Sequence, residues 1–115
     1  MPSDCLFCKI ASGAIPSKRV FEDERIFAFH DISPEAPVHI LLIPKEHVES
    51  LDALEERHTG LAGACLLRAA QLARELGISE GGYRVVTNHG EAAGQGVFHL
   101  HFHVLGGRLM RWPPG

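Results

Sequence analysis

Between Val97 and Leu105 the sequence alternates strictly. His99, His101 and His103 take every second position, with Phe98, Leu100, Phe102 and Val104 between and beside them. A period of two is that of a β-strand, whose successive side chains point to opposite faces. On a helix the same residues would scatter around the axis, and neither set would share a side. A strand is therefore expected over Val97–Leu105, with its apolar set facing a core and its imidazoles lining the other side. Neighbouring imidazoles would stand roughly 6.6 Å apart, too far for all three to hydrogen-bond one another but suited to lining one small pocket. The register is firmly specified, because a slip of one residue would bury three imidazoles.

The rest of the chain supplies partners for this strand. Arg19–Glu22 and Ile26–Asp31 read as strands around a turn at Asp23-Glu24, and Tyr83–Thr87 as another. Val38–Ile43, β-branched and apolar between Pro37 and Pro44, reads as a buried strand. Residues 4–11 can make a short helix that Gly13 and Pro16 end. From Asp52 to Leu76 the period changes. Leu54, His58, Leu61, Cys65, Ala69, Leu72, Ala73 and Leu76 recur every three or four positions, the stripe of an amphipathic helix. Asp52 with Glu55 resembles a capping pair at its start, and Gly77 suits its end. Strands, one long helix and more strands predict an α+β fold with an antiparallel sheet of about five strands. At 115 residues the chain is expected to be a single domain, 1–115.

Charge narrows the partners. A net charge of −3 leaves no broad basic surface, so nucleic acid is not an expected partner. The run Ile40–Ile43 is far short of the roughly 20 apolar residues that cross a bilayer, and Met1-Pro2-Ser3-Asp4 lacks the basic start of a signal peptide. No membrane partner and a cytoplasmic location are expected. A small anionic ligand remains compatible, because a pocket can be locally positive. Just before the histidine row, Gly94-Gln95-Gly96 can turn successive backbone N–H groups toward a phosphate. Asn88 can hydrogen-bond the same ligand or serve a turn.

Three cysteines are too few for a disulfide scaffold. Cys65 falls on the helical stripe and reads as core. Cys5-Leu6-Phe7-Cys8 has the spacing of two ligands of one tetrahedral zinc, which two histidines would complete. A lone pair at that spacing can also be a redox couple or two core thiols. His58 and His89 suggest no chemical role, and Glu55, Glu56 and Arg57 read as a solvated helix face.

The row His99-Leu100-His101-Phe102-His103-Val104-Leu105 resembles the signature of the histidine triad (HIT) superfamily. Ala28-Phe29-His30-Asp31-Ile32-Ser33-Pro34, Ala36-Pro37-Val38-His39, Ile43-Pro44-Lys45-Glu46-His47, Gly106-Gly107-Arg108 and Trp112-Pro113-Pro114-Gly115 resemble its nucleotide-binding (HINT) branch. The resemblance implies a purine nucleoside phosphoramidase, a hydrolase cleaving the P–N bond of AMP or GMP phosphoramidates. By position His101 would be the nucleophile that becomes nucleotidylated, with its other ring nitrogen held by the carbonyl of His99. His103 would contact phosphate and assist proton transfer, and His39 would support that relay. Gly94, Gln95 and Gly96 would bind the phosphate oxygens through their backbone. Leu6, Phe7, Ile10, Phe29, His30, Asp31 and Ile32 would line the nucleoside pocket, with Asp31 on the ribose hydroxyls. Asn88 and Val97 would join the nucleotide contacts. Gly96 departs from the Ser of animal members, which removes a hydroxyl and keeps the N–H.

Two further implications concern assembly. Some HIT proteins with the cysteine pair hold a structural, non-catalytic zinc, which here would fall on Cys5, Cys8, His47 and His99. The HINT branch forms homodimers in which the strand Tyr83–Thr87 continues the sheet into the partner, and Trp112–Gly115 reaches the partner's active site. Two rival readings stand beside the phosphoramidase. One is a nucleotide-binding module with incidental hydrolysis. The other is a metallohydrolase with its ion on His99, His101 and His103.

Overall fold

A computed structural model describes residues 4–115; Met1, Pro2 and Ser3, read above for a leader, lie outside the described residues. The order is helix α1 (Leu6–Ser12), strands β1 (Arg19–Glu22), β2 (Ile26–His30) and β3 (Val38–Pro44), helix α2 (Thr59–Glu75), and strands β4 (Tyr83–Val86) and β5 (Phe102–Gly106). The strands form one antiparallel sheet in the order β1-β2-β3-β5-β4. The predicted α+β class and five strands are present. No described helix is long and apolar enough to cross a membrane.

The alternation of β2, β3 and β5 sorts two cores onto the two faces of the sheet. Ile26, Ala28, Ile40, Leu42, Phe102 and Val104 face α2, which contributes Leu61, Cys65, Ala69, Leu72 and Ala73. Phe27, Phe29, Leu41 and Ile43 face α1, which contributes Phe7 and Ile10. With both faces covered, β3 is apolar along its whole length after Val38 except for His39. The register sets Leu41 opposite Phe29 on one side and His103 on the other, so the histidine face of β5 is the α1 face.

Three expectations need correction. The strand predicted over Val97–Leu105 begins only at Phe102, because pairing with β3 starts there and pairing with β4 at His103. Upstream the chain bends, and Phe98, expected in the core, is 60% exposed. The unslipped register does not keep all three imidazoles out of the interior: His99 is fully buried and His101 nearly so, against Phe7 of α1, while His103 is half-buried. Finally, the long helix begins at Thr59 rather than Asp52, after two 3₁₀ turns at Leu51–Ala53 and Glu56–His58. The cap is not Asp52 with Glu55. Glu55 and His58 cap each other, and the His58 ring accepts the Glu55 N–H at 2.9 Å. His58 is buried by that role, its other nitrogen 3.2 Å from Glu46, and Glu55 to Arg57 lie outside the helix.

Gly106 in β5 is required by close approach: a Cβ there would meet Ile78 at 2.7 Å. This lets the segment after α2 pack directly against the end of β5.

Candidate functional site

The three histidines of the row have three different environments. His101 Nδ1 lies 2.7 Å from the His99 carbonyl oxygen. A carbonyl can only accept, so Nδ1 carries the proton and Nε2 keeps its lone pair. The backbone of this turn is itself held, since Thr87 Oγ1 donates to the His101 carbonyl at 2.8 Å and the Leu100 N–H donates to Val48. The ring of Phe7 meets that of His101 nearly edge-on, with centroids 5.1 Å apart. A buried imidazole with a fixed tautomer and one free nitrogen is equipped to act as a nucleophile.

His103 belongs to a chain of three groups. The Glu35 N–H donates to His39 Nδ1 at 3.0 Å, which leaves the His39 proton on Nε2. That nitrogen stands 2.9 Å from His103 Nδ1 and 3.4 Å from Asp31 Oδ2. In the neutral state His39 Nε2–H donates to His103 Nδ1, and His103 presents its own proton on Nε2. Burial, then the positive charge of a protonated His101 or His39, lowers the His103 pKa to about 4, with Asp31 opposing the shift. Asp31, His39 and His103 lie close enough to be considered as metal ligands. The 2.9 Å separation, however, is that of a hydrogen bond, shorter than the about 3.3 Å between two nitrogens on a tetrahedral ion.

His99 turns its ring the other way. Its Nε2 donates to the Pro44 carbonyl at 2.7 Å, so Nδ1 is unprotonated and faces the thiols of Cys5 at 3.4 Å and Cys8 at 3.6 Å. His47 Nδ1 is 3.4 Å from Cys8 Sγ. Sulfur and nitrogen ligands of one tetrahedral zinc are separated by about 3.5 Å. The donor atoms of Cys5, Cys8, His47 and His99 all lie within 4.8 Å of one another, so the set fits such an ion. Burial and the neighbouring Cys5 push the Cys8 thiol up to about 11, a proton that a dication would displace. Burial also lowers the His99 pKa, which favours the neutral, ligating ring.

The structure therefore separates what the metallohydrolase reading put together. His99 faces the thiols while His103 pairs with His39, and the row does not converge on one point among the described residues.

The glycine loop differs from its expected form. Gly94 is left-handed, with φ 82°, but its N–H donates to Glu91 and that of Gln95 to Gly90. Neither can serve an anion. The buried Gln95 side chain accepts from the Gly90 N–H and donates to the Glu49 and Val97 carbonyls, so it braces the loop. The N–H groups of Gly96 and Val97, immediately after this closed turn, meet no backbone acceptor among the described residues. A Cβ on Gly96 would meet nothing within 4 Å.

The expected nucleoside residues line separate hollows. His30, Asp31, Ile32 and His39 border a cleft of about 790 Å³ with Lys18, Pro34 and Pro37. Leu6, Gly96 and Val97 border another of about 440 Å³ beside His47, and Ile10 a third of about 350 Å³. Phe7 and Phe29 are core residues packed ring to ring. Asn88 is half-buried in the segment between β4 and the loop. Thr87, Glu35 and Pro44 were missed by sequence reasoning. The last two act through main-chain groups, an N–H and a carbonyl, that mark no residue type, so only the register could reveal them.

A family model for the HIT domain matches residues 12–110. The chain belongs to the HIT family, and its likenesses lie in the HINT-like branch. Adenylylsulfatase HINT1 of Arabidopsis thaliana is 48% identical over 118 residues, covering 99% of this chain and 80% of that one. A 14 kDa zinc-binding protein of Brassica juncea is 47% identical over 114 residues, with 97% and 100% covered. Among solved structures, a HIT family hydrolase from Legionella pneumophila superposes with a TM-score of 0.96 at 51% identity, covering 97% of this chain and 100% of its own. The resembling segments from Ala28 to Arg108 fall within the matched region, and Trp112-Pro113-Pro114-Gly115 lies beyond it.

Proposed function

We propose that this HIT protein is a nucleotide hydrolase of the phosphoramidase type, acting through a covalent nucleotidyl-His101 intermediate. The supporting observation is the 2.7 Å contact between His101 Nδ1 and the His99 carbonyl, which frees Nε2. In the first step Nε2 attacks phosphorus and the P–N bond breaks. The departing nitrogen takes its proton from the His39–His103 pair, which Asp31 helps to hold in its protonated form. The anionic phosphate raises the His103 pKa from its low resting value when substrate binds. In the second step water attacks phosphorus, the P–Nε2 bond breaks to free His101 and release the nucleoside monophosphate, and the proton lost by water returns to the pair. The N–H groups of Gly96 and Val97 face the non-bridging oxygens.

The substrate half would be AMP or GMP, with Asp31 on the ribose hydroxyls and the apolar residues of α1 and β2 beside the purine. Adenylyl sulfate, the substrate implied by the name of the Arabidopsis relative, shares the AMP half. We further propose a structural zinc on Cys5, Cys8, His47 and His99, in keeping with the name of the Brassica relative. A homodimer is proposed through the edge strand β4 and α2, where Leu66 and Leu67 are 54% and 69% exposed. The deciding assay is steady-state hydrolysis of adenosine and guanosine 5′-phosphoramidates, with mass spectrometry of protein quenched early. Turnover with an AMP or GMP adduct on His101 supports the reading. Tight nucleotide binding with neither would leave the binding module.

A further inference from the structure

We propose that Phe7 is a positioning residue for His101, held against it by the two cysteines that flank it in the chain; this rests on the reading of His101 as the nucleophile. A hydrogen bond at Nδ1 fixes one corner of an imidazole but leaves the ring free to tilt about that corner. The aim of Nε2 then depends on what touches the ring. Phe7 does so: its ring is 5.1 Å from that of His101 at 88°, and 6.1 Å from that of His99 at 68°. Behind it stands Phe29, at 5.6 Å and 75°, so Phe7 is backed by the sheet and cannot recede. It is 5% exposed.

The placement of Phe7 follows from the thiols. Cys5 caps α1, its sulfur accepting the Cys8 N–H at 3.4 Å, which closes the turn containing Phe7. The same two sulfurs converge on His99 Nδ1. His99 in turn holds His101 through its carbonyl. Both restraints on the nucleophile, the carbonyl at one corner and the aromatic ring on its flank, therefore meet at the Cys5–Cys8–His99 contact. An ion bound there would stiffen both together, by fixing α1 and His99 to one point. α1 has seven residues, too short to hold its own shape in water without such ties.

The readout is the His101 Nδ1–H proton, followed by imidazole NMR in the protein as purified, where its exchange with water reports how firmly the ring is held. Phe7→Leu keeps an apolar side chain and removes the aromatic edge. It should speed that exchange about tenfold or more and lower kcat about tenfold, with KM within about twofold, since misaim acts on the reacting geometry. Stripping the metal with chelator, and Cys5→Ser with Cys8→Ser, should speed the exchange likewise while the β3–β5 amide resonances stay in place. Unchanged exchange in Phe7→Leu, or in chelator-treated protein with an intact sheet, overturns the proposal. So does a variant with raised KM and unaltered kcat, which would make Phe7 a nucleoside contact alone. Should Phe7→Leu not fold, the chelator arm on the unaltered chain decides. The NMR arm needs no substrate, so absence of phosphoramidase turnover would defeat the functional reading and leave this test standing.

Discussion

His39 Nε2 and His103 Nδ1 stand 2.9 Å apart, joining two strands across a sequence separation of 64 residues. Their rings occupy diagonal positions on one face of the β3–β5 ladder, where His39 faces Leu105 and His103 faces Leu41. The contact turns two ordinary strand positions into one proton-holding unit, and most expected behaviour of the site depends on it.

Replacement of His103 should therefore discriminate between leaving groups. An amine departs only with a proton, whereas sulfate leaves as a stable anion. His103→Gln should lower kcat on an adenosine phosphoramidate by about a hundredfold or more, and on adenylyl sulfate by less than about tenfold. Equal losses on both substrates would show that His103 acts on phosphate rather than on the proton.

His101→Gly should reduce turnover on either substrate by more than about a hundredfold while retaining nucleotide binding. Calorimetry for binding and intact mass for the adduct check the two halves separately. An AMP adduct on the variant would place the nucleophile elsewhere.

The pH dependence of stability follows from the low pKa of His103. The folded state binds its proton at about 4, the unfolded chain at about 6.5, so the unfolded state holds more protons between them. The contribution of His103 is fully present above about pH 6.5 and is lost as pH falls toward 4. Tm measured from pH 7.5 to 4.5 should fall in this window, and less steeply in His103→Gln. Parallel slopes in the two proteins would refute the linkage.

Metal analysis of protein purified without chelator should give about one zinc per chain, as a single four-ligand site requires. The double change Cys5→Ser, Cys8→Ser should abolish it and lower Tm. Zinc retained at full stoichiometry after that change would move the site off these residues.

By light scattering at micromolar concentration the mass should be near twice the 12.6 kDa of one chain. Leu67→Glu, which puts a charge on the exposed face of α2, should shift it toward one. A single-chain mass for the unaltered protein would remove the dimer.

How much of this was legible in the sequence depends on which group did the work. Side-chain period marked the body of α2, whose burial on one face leaves a pattern, and continuous apolar runs marked β2 and β3, which are covered on both faces. It failed at Phe98, where pairing had not yet begun, and at Asp52–His58, where Glu55 and His58 cap each other and delay the helix. The thiol–imidazole set lay outside the reach of spacing alone, since His47 and His99 come to the cysteines by way of the fold; the family resemblance named them. The loop expected to bind phosphate was half legible. Its glycines showed, but that Gln95 would fold inward and that the Gly94 and Gln95 N–H groups would close the loop on itself did not.

Gly96 has open space where its Cβ would be and no left-handed backbone to defend. Selection can therefore put almost any small side chain at this position, beside the phosphate in the proposed reading, without first solving a folding problem. That makes this position a place where rate and leaving-group preference can drift between lineages while the scaffold stays still, and where a library of substitutions should yield changed catalysts rather than misfolded ones.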